Sequence, residues 1–305
     1  MKKKTFGLIG TISRDEVRRE TGGEFRNLGG ALYQAATLCA LGEDTRLYAR
    51  LADDMAAEVE DMVADWTAFR RDGLQRHPGA GNRVSLTYPR RGERVEILHE
   101  AVPPLDPEPV LRNLAELSFL VLVVNSGFDL ELGDWRRIAD AAPCPVWFDI
   151  HSLTLEKALG RPRAYRSVPE WKDWARGASY IQANRKEAAC LLGAPESEAG
   201  PEEVRAFCRL GLDLGAEAVF VTLGKEGALA ATSSGERIVR PGRETAVVDT
   251  TGCGDVFCAA ASSALRRGAD PGEAARFGVE LASLAARSAG VREIFELASN
   301  IGRHT

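Results

Sequence analysis

Apolar residues along this chain recur in two rhythms. Short runs that are apolar at every position, as strands buried on both faces are, stand at Phe119 to Val124, Val146 to Phe148, Tyr180 with Ile181, and Ala218 to Thr222. The first strand is predicted over Thr5 to Ile12, running out into Ser13, Arg14 and Asp15. A helix, ALYQAATLCAL, opens after Gly29 and Gly30 and closes at Gly42. Thr45 to Leu51 is a second strand, followed by Asp53 and Asp54, which read as caps of a helix through Trp66. A different pattern interrupts this alternation. Glu16 to Leu28 is charged, with Gly22 and Gly23 at its middle, and Arg83 to Tyr88 and Val95 to His99 alternate on either side of a PRRGER turn. These read as charged hairpins forming a small separate sheet, about residues 13–28 and 83–100, that could cover a site. The last third is two long helices, residues 252–267 and 271–288, and no internal repeat interrupts the chain. The expected architecture is a single α/β domain over 1–305: a doubly wound, mostly parallel central sheet with helices on both faces, and a β-sheet lid.

In such a sheet ligands bind beyond the carboxyl ends of the strands. Polar residues and glycines gather there: Asp15 after the first strand, then Asn125 with Ser126 and Gly127, Asp149 to Ser152, Asn184, and Gly224. For Asp15 the alternative is a solvated loop carboxylate.

The densest chemical signal is VVDTTGCGDVFCAAASSAL, Val247 to Leu265, which reads as strand, turn, helix. Gly252 and Gly254 let backbone approach a ligand, and the first helical amides have no intrahelical partners, so the turn suits an anion. Asp255 is out of place in an anion site. One reading makes it a helix cap; the other makes it a proton acceptor. Asn184 and Glu187 in NRKEA sit three apart at a helix start. They suit a hydrated Mg²⁺ and a phosphate oxygen, or a simple capping box. VTLGKEGAL, Val221 to Leu229, places Thr222, Gly224 and Gly227 after a buried strand, as a nucleotide loop or as a glycine-rich hairpin.

Composition acts mainly by exclusion. The chain has 305 residues, 45% hydrophobic and 27% charged, with a net charge of −5, which argues against nucleic-acid and membrane surfaces. After MKKK the apolar run ends within a few residues, too soon for a signal peptide or membrane span. The six cysteines are scattered without CxxC pairs or histidine companions, as reduced thiols of a cytoplasmic protein are.

In order along the chain, Asp15, the Gly29–Gly30 pair, N184xxE187, T222xGxxG227 and DTTGCGD at 249–255 resemble the ribokinase-like (PfkB) sugar kinases from Gly10 to about Gly290. The resemblance implies ATP as phosphoryl donor, Mg²⁺, and a sugar or related polyol as acceptor. It assigns Asp255 as catalytic base and the Thr251, Gly252, Cys253 and Gly254 stretch as anion hole, with Cys253 a tolerated small side chain. Asn184 and Glu187 fall on the metal and phosphate motif, Thr222, Gly224 and Gly227 on the nucleotide loop, and Asp249 on a position linked in some members to a monovalent cation such as K⁺. Asp15, Gly29 and Gly30 match the sugar-hydroxyl site.

Departures lie on the acceptor side. Where many members carry asparagine after the glycine pair, this chain offers Tyr33 or Gln34. Where many carry an aspartate, asparagine, arginine run, it reads Asp149, Ile150, His151, Ser152. An anionic acceptor would need a fixed cation. Arg14, Arg83 and Arg90 are nominees, though a solvated role suits their spacing as well. A nucleoside acceptor is an alternative, with Tyr33, Phe25 or Phe128 to stack on a base. A non-catalytic nucleotide- or sugar-binding regulator is the alternative from another class. A homodimer through the lid follows from its exposed edges.

Overall fold

Strand-forming runs that are apolar on both faces need helices on both sides, and the chain supplies them in sequence. The computed structural model describes residues 4–20, 23–89, 94–194, 199–242 and 247–302. In chain order its strands are β1 (Thr5–Ile9), β2 (Ile12–Arg19), β3 (Gly23–Gly30), β4 (Thr45–Ala52), β5 (Phe69–Arg70), β6 (Leu74–His77), β7 (Asn82–Tyr88), β8 (Val95–Glu100), β9 (Leu117–Val123), β10 (Val146–Asp149), β11 (Tyr180–Asn184), β12 (Ala218–Thr222), β13 (Ala228–Thr232) and β14 (Gly235–Val239). The helices are α1 (Leu32–Ala40), α2 (Ala56–Met62), α3 (Glu108–Asn113), α4 (Leu132–Ala141), α5 (Trp171–Ala175), α6 (Arg185–Leu191), α7 (Pro201–Asp213), α8 (Cys253–Arg266), α9 (Pro271–Ala285) and α10 (Val291–Gly302).

The large sheet runs β14-β13-β12-β11-β10-β9-β1-β4-β5, with β6 also on β4. From β5 to β12 every neighbour is parallel, and β13 and β14 close one edge antiparallel. Successive side chains of β9 feed opposite cores. Phe119 and Val121 pack with α1, α8, α9 and α10; Leu120 and Leu122 pack with α4 to α7. Helices therefore cover both faces, which is the doubly wound arrangement. Among the described residues no helix is long and apolar enough to cross a membrane.

A second sheet, β3-β2-β7-β8, is the lid. Its β2–β3 pair is the hairpin expected from Glu16 to Leu28. Much of PRRGER, including Arg90, lies outside the described residues. The β8 edge is covered by this chain itself: Gly160 N–H donates to Leu98 O (2.8 Å) and Arg163 N–H to Glu96 O (3.0 Å). Among the described residues no strand pairs with the other edge, β3.

Several expectations need correction. The first strand stops at Ile9, and Gly10 packs closely just beyond β9, where a Cβ would lie 2.7 Å from Asn125 Oδ1. The chain leaves the large sheet there, so Asp15 is a lid-strand residue and not a loop carboxylate. Asp53 and Asp54 cap nothing with their side chains. Asp54 accepts from Gly81 N–H at 3.0 Å, and Asp53 pairs with Arg76. Val247 and Val248 form no strand: they are 63% and 47% exposed, and Val248 N–H is spent on Ala286 O. A tenth helix follows the two expected at the C-terminal end. Its Ile294 and Ala298 are buried against the α1 side of the core.

Candidate active site

The carboxyl ends of β1, β9, β10, β11 and β12 bring Gly10, Asn125, Asp149, Asn184 and Thr222 to one edge of the sheet, and the lid closes over it. A cavity between them is lined by Asp15, Gly30, Tyr33, Asn125, His151, Thr251, Gly252 and Asp255. Gln34 is not among its walls. That side chain is buried with neither amide atom paired, so of the two positions after the glycine pair, Tyr33 faces the cavity.

Asp15 is 5% exposed in β2. Ser13 Oγ donates to its Oδ1 at 2.7 Å, and its Oδ2 occupies the space that a Cβ on Gly29 would enter at 2.1 Å. Gly29 thus has a steric reason to be glycine. Gly30 has a conformational one as well, with φ of 64° and Thr11 O at 2.2 Å from a hypothetical Cβ. Burial pushes Asp15 up to about 7, with the Ser13 bond working the other way. His151 has φ of 41°, and its Nδ1 lies 2.9 Å from Ser152 Oγ. Burial holds it down at about 4, so it is neutral near pH 7.

Asp255 is the third residue of α8 and 6% exposed. Its Oδ1 is buried without a partner. Burial first, then the charge of Asp15, pushes it up to about 7. The turn before it is more selective than a row of four free amides. Thr251 N–H is bound by Asp249 Oδ1 at 2.9 Å and Cys253 N–H by Thr250 O at 3.2 Å. The amides of Gly252 and Gly254 form no backbone bond among the described residues. Gly252 needs its φ of 79°, and a Cβ there would meet the Tyr33 ring at 2.5 Å. Burial pushes the Cys253 thiol up to about 12, which leaves it no nucleophile.

On the neighbouring strands, Asn184 and Glu187 form a complete capping box. Asn184 Oδ1 accepts from the amides of Lys186 and Glu187 at 2.9 Å, and the Glu187 carboxylate accepts from Asn184 N–H and Nδ2 at 2.7 and 2.6 Å. Gln182 Nε2 donates to Asp149 Oδ2 and to Gly254 O, at 3.3 and 3.1 Å, tying β11 to the turn. Asp149, away from the cavity wall, is pushed well up by burial and by the charges of Glu187 and Asp255; Glu187 rises to about 8, mainly by burial. Thr222 pairs beside Asn184 in the ladder. Gly224 opens onto free space, whereas Gly227, at φ 95°, would drive a Cβ to 1.9 Å from Val239 O. Gly227 is a requirement of the β12–β13 hairpin, whose turn packs against the end of β14.

Two ions can be tested against this geometry. Mutually repelling buried carboxylates suit a divalent cation that arrives with phosphates. Among the described residues they form no cluster able to ligate a metal directly, and Glu187 already serves Asn184, so Mg²⁺ fits through water. At Asp249 a monovalent cation would compete with the lid. The Asp249 Oδ1 binds the amide and hydroxyl of Thr251, and its Oδ2 lies 3.1 Å from Arg19 Nη2 as an ion pair, with neither of those two buried atoms in a hydrogen bond among the described residues. The Thr251 hydroxyl, donating to Asp249, in turn accepts from Tyr88 at 2.8 Å.

The sequence reading missed Ser13, Asn82, Arg94 and Glu96 of the cavity wall, while Ser126 stands there as its strand-end position implied. Alternation in β8 was visible, but which face turned inward was not. The nominated cations are engaged elsewhere: Arg14 pairs with Glu58 and Asp54, and Arg83 with Glu100. Of the aromatics, Phe25 lies under Arg19 and Phe128 under Lys157.

With that fold and this arrangement at its sheet edge, the chain belongs to the PfkB family of carbohydrate kinases, whose profile matches residues 160–297. An uncharacterized sugar kinase of Archaeoglobus fulgidus is 31% identical over 267 residues, 84% of this chain and 96% of that protein. The bifunctional protein HldE of Pseudomonas syringae is 30% identical over 264 residues, 85% of this chain, and a ribokinase of Schizosaccharomyces pombe is 30% identical over 125 residues, 41% of it. The chain spans 51% and 39% of the lengths of those two. Solved structures share the fold: Arabidopsis thaliana ribokinase complexed with ribose and ATP, at TM-score 0.74, 19% identity and 97% and 98% coverage, and adenosine kinase from Sinorhizobium meliloti, at 0.77, 19%, 99% and 100%.

Proposed function

We propose that this protein is an ATP-dependent kinase that phosphorylates a hydroxyl of a sugar or related polyol. The observation that carries the reading is the unpartnered, buried Oδ1 of Asp255 in the same cavity as Asp15 and the free amide of Gly252. An acceptor hydroxyl hydrogen-bonded to Asp255 attacks the γ-phosphorus. The bond to the β,γ-bridging oxygen breaks, ADP leaves, and the hydroxyl proton passes to Asp255. Charge on the moving phosphoryl group meets the amides of Gly252 and Gly254, so positioning and electrostatics contribute most. Asn184 and Glu187 would hold Mg²⁺ through water, and the ion would supply positive charge to the donor phosphates. Asp15, Tyr33, Asn125 and His151 line the acceptor side, Thr222 and Gly224 the donor side. No step runs through K⁺, because Arg19 already supplies a positive charge at Asp249.

The test is ADP release by wild type and Asp255→Asn over a panel of sugars, polyols and nucleosides. The expected loss is ~10²–10⁴-fold, and unchanged turnover would remove Asp255 from its role. ATP binding without ADP release from any acceptor selects a non-catalytic regulator. A nucleoside acceptor is the weaker reading, since only Tyr33 of the three aromatics reaches the cavity. The unpaired β3 edge is the surface for a lid-mediated homodimer, which light scattering on the purified protein tests.

A further inference from the structure

The cavity wall contributed by β8 carries a charge pattern that phosphoryl transfer does not use. Glu96 is nearly buried, and both of its oxygens are taken by arginines: Oε1 by Arg163 Nη1 at 2.9 Å and Oε2 by Arg94 Nη2 at 3.1 Å. Arg163 has no exposed side chain and spends its remaining nitrogens on the carbonyls of Glu156 and Ser126, each at 2.8 Å. Its charge is therefore committed to Glu96, behind the wall.

Two guanidinium groups share one carboxylate, and the surplus positive charge falls to Arg94. That side chain is 41% exposed and lines the cavity. Glu96 holds one nitrogen of the guanidinium and Tyr88 is a second partner, on a planar fork that carries five N–H donors in all. Among the described residues that line the cavity, Arg94 is the one lysine or arginine. The same cavity holds the carboxylates Asp15 and Asp255, suited to hydroxyl groups. A wholly neutral polyol would answer the two carboxylates and give Arg94 no anion beyond Glu96, which it already shares with Arg163.

We propose that the acceptor carries an anionic group, a phosphate or a carboxylate, which Arg94 binds while the sugar hydroxyls lie at Asp15 and Asp255. This rests on the kinase reading above and narrows its substrate class. A planar guanidinium matches both anions in a two-point fashion that an ammonium group does not. Glu96 and Arg163 act as positioning residues, holding the fork in place.

The experiment measures kcat/KM by ADP release for ribose against ribose 5-phosphate, fructose against fructose 6-phosphate, and glucose against gluconate, in wild type, Arg94→Gln and Arg94→Lys. In the wild type at least one anionic member is expected to exceed its neutral parent by roughly 10-fold or more, mainly through KM. In Arg94→Gln that ratio collapses toward one, and Arg94→Lys recovers only part of it. Thermal melting of each variant checks that the fold is intact. Phosphate esters and sugar acids are told apart by which pair shows the preference. Neutral sugars turned over as well as their anionic partners by the wild type, or a ratio unmoved by Arg94→Gln, would overturn the inference and leave the kinase standing. No ADP release with any acceptor would overturn the kinase reading itself.

Discussion

Amidation of Asp255 separates its two readings by a route that does not depend on substrate. A carboxylate that merely caps α8 stabilises the helix by about 0.3–1 kcal/mol, and Asp255→Asn would lose that. A carboxylate held dry for proton transfer does the opposite. Burial raises Asp255 from 3.8 to about 7, and at 1.36 kcal/mol per unit the ceiling on its cost to the folded state is about 4 kcal/mol. The sign follows from proton counting. Between about pH 4 and 7 the folded protein holds a proton that the unfolded chain has lost, so stability falls as pH rises through that window. The penalty is complete above it and absent below pH 4. With an effective dielectric nearer 20 than 4, a gain of about 1–3 kcal/mol for Asp255→Asn at pH 8 is expected, more than the lost helix-end term. That is roughly 2–6 °C in melting temperature for a chain of this size. The assay is thermal melting of wild type and variant without nucleotide at pH 8 and pH 4.5. The variant should melt higher at pH 8 and within about 1 °C of wild type at pH 4.5. A variant that melts lower at pH 8, or a gap of equal size at both pH values, would refute the argument and restore the cap.

Other perturbations follow from the same geometry. In Gly29→Ala the new methyl group meets Asp15 Oδ2; the carboxylate must turn from Ser13, and acceptor KM should rise roughly 10–100-fold with the melting curve little changed. An unmoved KM would show that Asp15 does not bind the acceptor. Arg19→Gln strands the buried Asp249 carboxylate, so its melting temperature should drop and recover in KCl relative to choline chloride, while the wild type melts alike in both. A wild type stabilised by K⁺ would mean that Arg19 does not hold that position. Gly227→Ala forces a left-handed backbone and a clash with Val239 O, and it should cost about 2–4 kcal/mol in chemical denaturation. A loss under about 0.5 kcal/mol would show that the hairpin relaxes freely.

How far the chain could be read from residues alone depended on what kind of constraint each residue obeys. The β9 run and the polar residues at the ends of β9, β10, β11 and β12 were legible because burial on both faces and a shared edge are properties of local pattern. The lid strands were legible as strands, but their inward faces were not. Glu96 of β8 and Arg94, two residues before it, alternate with their neighbours, and only the pairing of β8 with β7, Leu86 opposite Glu96, fixes which face meets the site. The break at Gly10 went unseen because the groups around it there, Val123, Asn125 and Ala31, are distant in sequence. Helix α10 was missed although Val291, Ile294 and Ala298 keep helical spacing. Its buried stripe belongs to α1 and is not completed by nearby residues.

The same distinction explains why the two halves of the site differ. The donor half is built from backbone: free amides at Gly252 and Gly254, a capping box at Asn184, and a hairpin that Gly227 permits. Backbone demands particular residue types at fixed spacing, so it leaves a motif. The acceptor half is built from side chains on three lid strands, on α1 and beyond the ends of β9 and β10, brought together only by tertiary structure. Nothing local ties Arg94 to Asp15, and the spacing of one says nothing of the other. Yet the pair sets opposite charges in one cavity beside Asp255. An acceptor must answer both of them to reach the base. Its identity is therefore written in the relative placement of those two residues, and acceptors that differ in a single anionic group read it directly.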